Sequence, residues 1–125
     1  LNFGHTFAHG FEGAKKFSKK LNHGEAVLLG MMAASQLSYQ KKLLSLEDLT
    51  LIKKHYLNLN LPMKFEKIFK KQEINKIIHF MKKDKKNINE KINLILLKKI
   101  GKTTKPNSLA LDSNEIKKFL VSSYC

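Results

Sequence analysis

Apolar residues recur at helical spacing along most of the chain, and two helices are predicted in its first third. Leu1–Lys16 is poor in turn signals but carries three glycines, each of which costs about 1 kcal/mol relative to alanine inside a helix. Such glycines are expected where a helix backbone closely approaches another helix or a ligand. Gly24–Lys42 is apolar nearly all round through Ala26–Ala34, which predicts a helix buried in the domain centre.

The same periodicity predicts further helices in the rest of the chain. Their expected extents are Ser45 as N-cap to about Asn58, a short helix at Phe65–Lys71, then Glu73–Lys83 and Asp112 to about Val121. The run Ile92–Leu97 has the composition and length of a strand, and Gly101 and Pro106 punctuate the next segment. The sequence therefore predicts a mainly α domain with a small strand pair near its end.

Histidine is concentrated near the start, where His5, His9 and His23 account for three of the five in the chain. In a helix, His5 and His9 point the same way about 6 Å apart, so both can meet one metal ion or one substrate. A catalytic zinc needs three protein ligands, and spacing does not identify the third. A structural role also stays open, whereas His55 and His79 lie outside the apolar faces and are predicted to be on the surface.

The net charge of +14 raises the alternative of a basic helical module that binds nucleic acid. However, all 24 basic residues are lysine, and they are dispersed among Asn and Ile, which favours a solvated surface over a nucleic-acid or membrane partner. There is no run of 18 uncharged apolar residues, no signal peptide, and a single cysteine, Cys125. These features predict a soluble, cytoplasmic protein.

Three motifs, in order along the chain, carry a resemblance to a known family. They are Asn2-Phe-Gly-His-Thr-Phe-Ala-His9, His23-Gly-Glu-Ala-Val27 and Asp84-Lys-Lys-Asn87, and together they resemble the C-terminal domain of the 3-dehydroquinate synthase family of sugar-phosphate cyclases. This chain has Ala8 where the family usually has glycine and Gly10 where it usually has alanine, so both positions stay small. The resemblance implies that residues 1–125 form the helical C-terminal domain of a two-domain enzyme whose N-terminal NAD-binding α/β domain is absent from this chain.

Members of this family convert 3-deoxy-arabino-heptulosonate 7-phosphate into 3-dehydroquinate and phosphate, a lyase step of the shikimate pathway of aromatic amino-acid biosynthesis. The resemblance therefore implies NAD and Zn²⁺ or Co²⁺ as cofactors, a sugar-phosphate substrate and a homodimer, and we expect these 125 residues alone to be inactive. Alternatives of the same architecture are another sugar-phosphate cyclase or a metal-dependent alcohol or glycerol dehydrogenase.

The resemblance assigns the metal to His5 and His23, with a carboxylate from the missing domain as the third ligand. This differs from the spacing argument, which pairs His5 with His9. Glu25 lies two positions after His23, so its carboxylate can orient that ring. The alternative for Glu25 is a carboxylate that only stabilises the start of a helix.

The remaining implied site residues face the substrate. By resemblance His9 contacts substrate and moves a proton at the reacting hydroxyl, a task that suits imidazole. Asn2 corresponds to a substrate-contacting asparagine. Lys85 and Lys86 are both candidates for a catalytic lysine turned toward the substrate's anionic groups, and the sequence does not choose between them.

Overall fold

A computed structural model describes residues 3–16, 21–82, 91–106 and 108–124. Within these ranges the α-helices are α1 (His5–Ala14), α2 (His23–Gln40), α3 (Leu46–Asn58), α4 (Ile74–Lys82) and α5 (Ser113–Val121). The short strands are β1 (Lys91–Asn93), β2 (Leu97–Lys99), β3 (Lys102–Thr103) and β4 (Ala110–Asp112). The predicted mainly α architecture is confirmed. None of the helices in these ranges is long and apolar enough to cross a membrane.

The helix α1 begins at His5, whereas the prediction placed its start at Leu1, because Gly4 has a φ of +82° and cannot continue a helix. It packs between α2 and α4, and glycines allow the backbones to touch on both sides. A Cβ built at Gly30 of α2 would lie 2.5 Å from the Gly4 carbonyl oxygen, and one at Gly10 would lie 2.6 Å from Met81 Cγ of α4. These glycines therefore lie at close helix contacts. This was expected, because glycine destabilises a helix and is retained where backbones approach closely.

Aromatic rings fill the core beside α1. The ring centroid of Phe11 lies 5.3 Å from that of Phe65 and 5.4 Å from that of Phe69, while Phe7 lies 6.0 Å from Phe119 of α5. Each of these rings is buried, and aromatic pairs at such distances add to the free energy gained by burial. The face of α1 opposite its histidines is thus anchored in the core.

Several local predictions are confirmed by the structure. The Ser45 side chain accepts a hydrogen bond from the Asp48 amide at 3.1 Å and caps α3, while Asp112 is the N-cap residue of α5. The predicted apolar face of α4 is buried, and its members are Ile74, Ile77, Ile78 and Met81. His55 and His79 are exposed, as expected for surface residues.

The predicted short helix at Phe65–Lys71 is instead two separate 3₁₀ turns, Phe65–Lys67 and Lys71–Glu73. Lys70 lies between them with extended backbone, and its amide donates to the Glu73 carboxylate at 2.7 Å. This side-chain bond offers the backbone an alternative to a helical bond, so the chain bends before α4 begins.

The run Ile92–Leu97 is not one strand, because its hydrogen-bonding partner changes midway. Ile92 in β1 pairs with β4, and Leu97 in β2 pairs with β3, so the domain contains two antiparallel strand pairs where one was predicted. Between them the Leu94 amide donates to the Leu109 carbonyl and the Leu96 amide to the Thr104 hydroxyl oxygen. Period and composition predict strand residues but not which segment each residue pairs with.

Tyr56 joins α3 to α2, since its hydroxyl donates to the Leu28 carbonyl oxygen at 2.7 Å. Burial raises the pKa of Tyr56 to about 12 from the ordinary value of 10.0, so the folded state favours the neutral phenol. Its contribution to stability is therefore complete below pH 10 and is lost as the pH rises toward 12.

Replacing Tyr56 with phenylalanine is expected to lower the free energy of unfolding by about 1 kcal/mol at neutral pH, because one buried hydrogen bond is lost. The variant should also lose less stability between pH 10 and pH 12 than the parent protein does. Urea unfolding at several pH values measures both effects. Tyr39→Phe is the matched control, because Tyr39 is 41% exposed and its replacement should change neither quantity appreciably.

Candidate functional site

Two of the predicted site histidines share one face of α1. His5 is the first residue of the helix and His9 lies one turn later, and their ring centroids are 4.1 Å apart. His5 is exposed and His9 is half-buried. The structure therefore bears out the expectation that residues four apart in this segment bring their side chains together.

The third histidine, His23, is the first residue of α2, and the preceding residue fixes that helix start. The Asn22 side-chain oxygen accepts from the Glu25 amide at 2.8 Å, and the Glu25 carboxylate accepts from the Asn22 amide at 3.0 Å. This reciprocal capping box satisfies two amides that the helix leaves unpaired. The Glu25 carboxylate thus makes the contact expected of the helix-start alternative, and its predicted role in orienting His23 stays a prediction.

A different carboxylate, that of Glu12, contacts His23. The Nδ1 atom of His23 lies 3.2 Å from Oε1 and 3.1 Å from Oε2 of Glu12, so the contact bridges α1 and α2. Sequence reasoning missed Glu12, although a signal was present: His5, His9 and Glu12 follow the i, i+4, i+7 spacing of one helix face. All three side chains consequently lie on the same side of α1.

A groove of about 440 Å³ runs beside this face, and His9, Glu12, Lys15 and Phe80 are among its lining residues. The Lys15 ammonium lies 2.9 Å from the Glu73 carboxylate and 5.0 Å from the centroid of the Phe69 ring. The positive charge of Lys15 is therefore compensated by the Glu73 carboxylate within the domain. The groove offers an imidazole and a carboxylate to a polar ligand.

A larger cavity of about 580 Å³ lies elsewhere and is mostly apolar. Phe3, Met31, Leu51 and Ile52 line it together with His55, whereas His5, His9 and His23 are absent from its described lining. The three histidines of the candidate site are therefore not part of this cavity.

The histidines suit a divalent cation in chemistry but do not form a complete ligand set. Among the residues that the structure describes, no three His, Cys, Asp or Glu side chains are arranged to hold a metal ion. His5 and His23 are both exposed, His5 at the start of α1 and His23 at the start of α2, where its contact with Glu12 places it beside the last turn of α1. When Nδ1 of His23 donates to Glu12, Nε2 carries the lone pair that a metal requires. The imidazoles of His5 and His23 are of the donor type that a divalent cation accepts, and a complete site requires at least one further ligand from outside the described residues.

The other predicted site residues lie outside the described ranges. These are Asn2, Lys85 and Lys86, together with the whole Asp84–Asn87 motif. Their assignments stay predictions.

Comparison with known families gives a match over residues 1–87 to the family described as "3-dehydroquinate synthase C-terminal". Among curated proteins, the 3-dehydroquinate synthase of Pelagibacter ubique is 52% identical over 101 residues, which are 81% of this chain and 27% of that protein. The enzyme of the same name from Coxiella burnetii is 39% identical over 120 residues, or 96% of this chain and 32% of that protein. The chain thus spans about a third or less of the length of these relatives.

Among solved structures, the chain resembles 2-deoxy-scyllo-inosose synthase complexed with carbaglucose-6-phosphate, NAD⁺ and Co²⁺. The identity is 26% and the TM-score 0.72, over 97% of this chain and 32% of that one. A second structure of a 2-deoxy-scyllo-inosose synthase, at 23% identity and a TM-score of 0.67, supports the fold alone.

Proposed function

The chain belongs to the 3-dehydroquinate synthase family, and from that premise we propose that it is the metal- and substrate-binding domain of a 3-dehydroquinate synthase. The full-length enzyme would convert 3-deoxy-arabino-heptulosonate 7-phosphate into 3-dehydroquinate and phosphate as an NAD- and metal-dependent carbon–oxygen lyase. The observation that carries the proposal is that His5 and His9 share one face of α1 and that His23 of α2 reaches the same face through its contact with Glu12, all within the part of the chain that matches the family.

In this proposal His5 and His23 hold a divalent cation, Zn²⁺ or Co²⁺, and a carboxylate of the preceding domain completes the ligand set. The Co²⁺ and NAD⁺ named for the related inosose synthase support a divalent metal and NAD here. When bound, the metal would polarise the reacting hydroxyl, and NAD would accept a hydride from the carbon that bears this hydroxyl and later return it. His5 and His23 contribute neutral imidazoles on two separate helices, so the metal's position depends on how α1 packs against α2.

His9 has a different role in the proposal. Its ring lies 4.1 Å from that of His5 and lines the groove, so it reaches a substrate hydroxyl held beside the metal. An imidazole takes and returns a proton near neutral pH, which suits it to move the proton of that hydroxyl. Asn2 and one of Lys85 and Lys86 are proposed to bind the anionic groups of the sugar phosphate.

The full-length enzyme is further proposed to be a cytoplasmic homodimer without a nucleic-acid partner. Support for the last point comes from its basic residues, since all 24 are lysines and none offers the bidentate guanidinium that reads phosphates and guanine. The binding-module alternative predicts instead that DNA or RNA is bound and released steeply with rising salt.

Phosphate release from 3-deoxy-arabino-heptulosonate 7-phosphate by the full-length protein tests the proposed reaction. We expect release that requires NAD and falls at least about 10²-fold after the metal is chelated, because a Lewis acid contributes several kcal/mol to such chemistry. Restoring Zn²⁺ or Co²⁺ to the chelated enzyme should restore the rate.

Substrate choice separates the proposal from its nearest rival, since the structural relatives include a different sugar-phosphate cyclase. Glucose 6-phosphate, whose analogue is bound in that relative, serves as the competing substrate. Turnover of glucose 6-phosphate alone, or net NADH formation from an alcohol, by a folded and metal-loaded protein would contradict the assignment.

A further inference from the structure

The contact between Glu12 and His23 is the one described link between a carboxylate and a proposed metal ligand. We infer that Glu12 is a positioning residue: it holds the His23 ring in the orientation and tautomer that a metal ion requires. This inference rests on the proposed function, because it needs His23 to be a ligand.

The backbone positions of both partners are fixed by packing. Glu12 follows Phe11, which is buried in the aromatic core, and precedes Gly13, where a Cβ would meet the Phe80 side chain at 2.4 Å. His23 follows Asn22, whose capping box fixes the start of α2. The carboxylate is thus presented to the ring by two rigid helices rather than by a loop.

The geometry also selects the tautomer. Both Glu12 oxygens lie within 3.2 Å of Nδ1, and a carboxylate only accepts hydrogen bonds, so Nδ1 carries a proton. The lone pair of a neutral ring is then on Nε2, on the far side from Glu12 and available to a cation. A carboxylate at this place also makes the imidazole a better donor to the metal.

A purely structural contact would have different consequences. His23 is 75% exposed and Glu12 is 42% exposed, and an ion pair so open to solvent adds little to folding stability. Glu25, the other carboxylate near His23, is engaged in the helix cap. Metal affinity, rather than stability, is therefore the quantity that separates the two roles.

The test uses the full-length protein loaded with Co²⁺, whose visible spectrum reports ligand geometry without any need for turnover. Glu12→Gln keeps the shape of the side chain but removes its charge. We expect a 10- to 100-fold loss of Co²⁺ affinity, measured by competition with a chelator, and an altered visible spectrum. The melting temperature without metal should change little.

Three further variants make the result interpretable. Glu115→Gln is the matched control, because Glu115 is 44% exposed and pairs with Lys41 at the opposite end of α2 from His23, and it should leave Co²⁺ affinity unchanged. Glu25→Gln tests whether the capping carboxylate, rather than that of Glu12, orients His23. Its loss of Co²⁺ affinity should be smaller than that of Glu12→Gln. His23→Ala gives the loss of Co²⁺ affinity that results when the proposed ligand is removed altogether.

The outcomes separate this inference from the proposed function. If His23→Ala loses Co²⁺ but Glu12→Gln binds it with unchanged affinity and spectrum, the positioning role is wrong and the proposed site stands. A larger loss with Glu25→Gln than with Glu12→Gln would likewise overturn the role of Glu12. If His23→Ala itself binds Co²⁺ normally, the proposed metal site fails and the inference fails with it.

Discussion

Replacing His5 with alanine in the full-length protein is expected to lower kcat/KM for phosphate release about 10³-fold, and to leave little metal bound. The proposed site has only two imidazole ligands in this chain, so the loss of one removes Lewis-acid stabilisation worth several kcal/mol, and each 1.36 kcal/mol is about tenfold in rate. Steady-state kinetics together with metal content after dialysis measure both effects.

Two other histidine variants complete this experiment. His79→Ala is the matched control, since His79 is an exposed residue of α4 whose described ring contact is with Phe80, and its rate should stay within about twofold of the parent. His9→Ala should slow turnover but keep the metal. A His5→Ala protein that retains both its metal and its rate would remove His5 from the proposed site.

Replacing Gly30 with alanine is expected to destabilise the protein by about 3 kcal/mol, because the added methyl group meets backbone on the opposite helix. A Cβ at this position would lie 2.5 Å from the Gly4 carbonyl oxygen and 2.7 Å from the Ala8 amide nitrogen, and neither atom can rotate away. Chemical denaturation gives the change in the free energy of unfolding.

Gly24 provides the control within the same helix. A Cβ there would approach only the Asn22 side-chain oxygen, at 3.5 Å, so Gly24→Ala should be neutral or stabilising by up to about 1 kcal/mol. Equal stability of the two variants would mean that α1 and α2 do not cross as closely as the structure indicates. Because α1 carries His5 and His9, the Gly30→Ala protein should also bind metal less tightly.

The local sequence was sufficient to predict features of the fold that depend on a single segment of the chain. The cap at Ser45 and the apolar face of α4 were predicted correctly because each depends on neighbours within a few residues. The bend at Lys70 and the change of pairing partner within Ile92–Leu97 were not predicted. Both depend on hydrogen-bond contacts that the spacing of hydrophobic residues does not encode.

The same distinction applies to the candidate site. Spacing predicted that His5 and His9 meet, and it contained the signal for Glu12. It did not predict that Glu12 meets His23, 11 residues further along, since that contact depends on how α2 returns against α1. The family assignment came from motifs, and physical reasoning about the histidines alone left metal binding, substrate binding and a structural role open.

The tight packing of α1 against α2 and α4 also determines how slowly this helix opens. Since backbone touches backbone or buried side chain on both sides, α1 cannot loosen without separating from α2 or α4. Its amide hydrogens should therefore exchange with solvent almost as slowly as the whole domain unfolds. In the proposed enzyme, the two imidazoles of α1 would then keep their spacing through many turnovers, and catalysis would not wait for the helix to re-form between one substrate and the next.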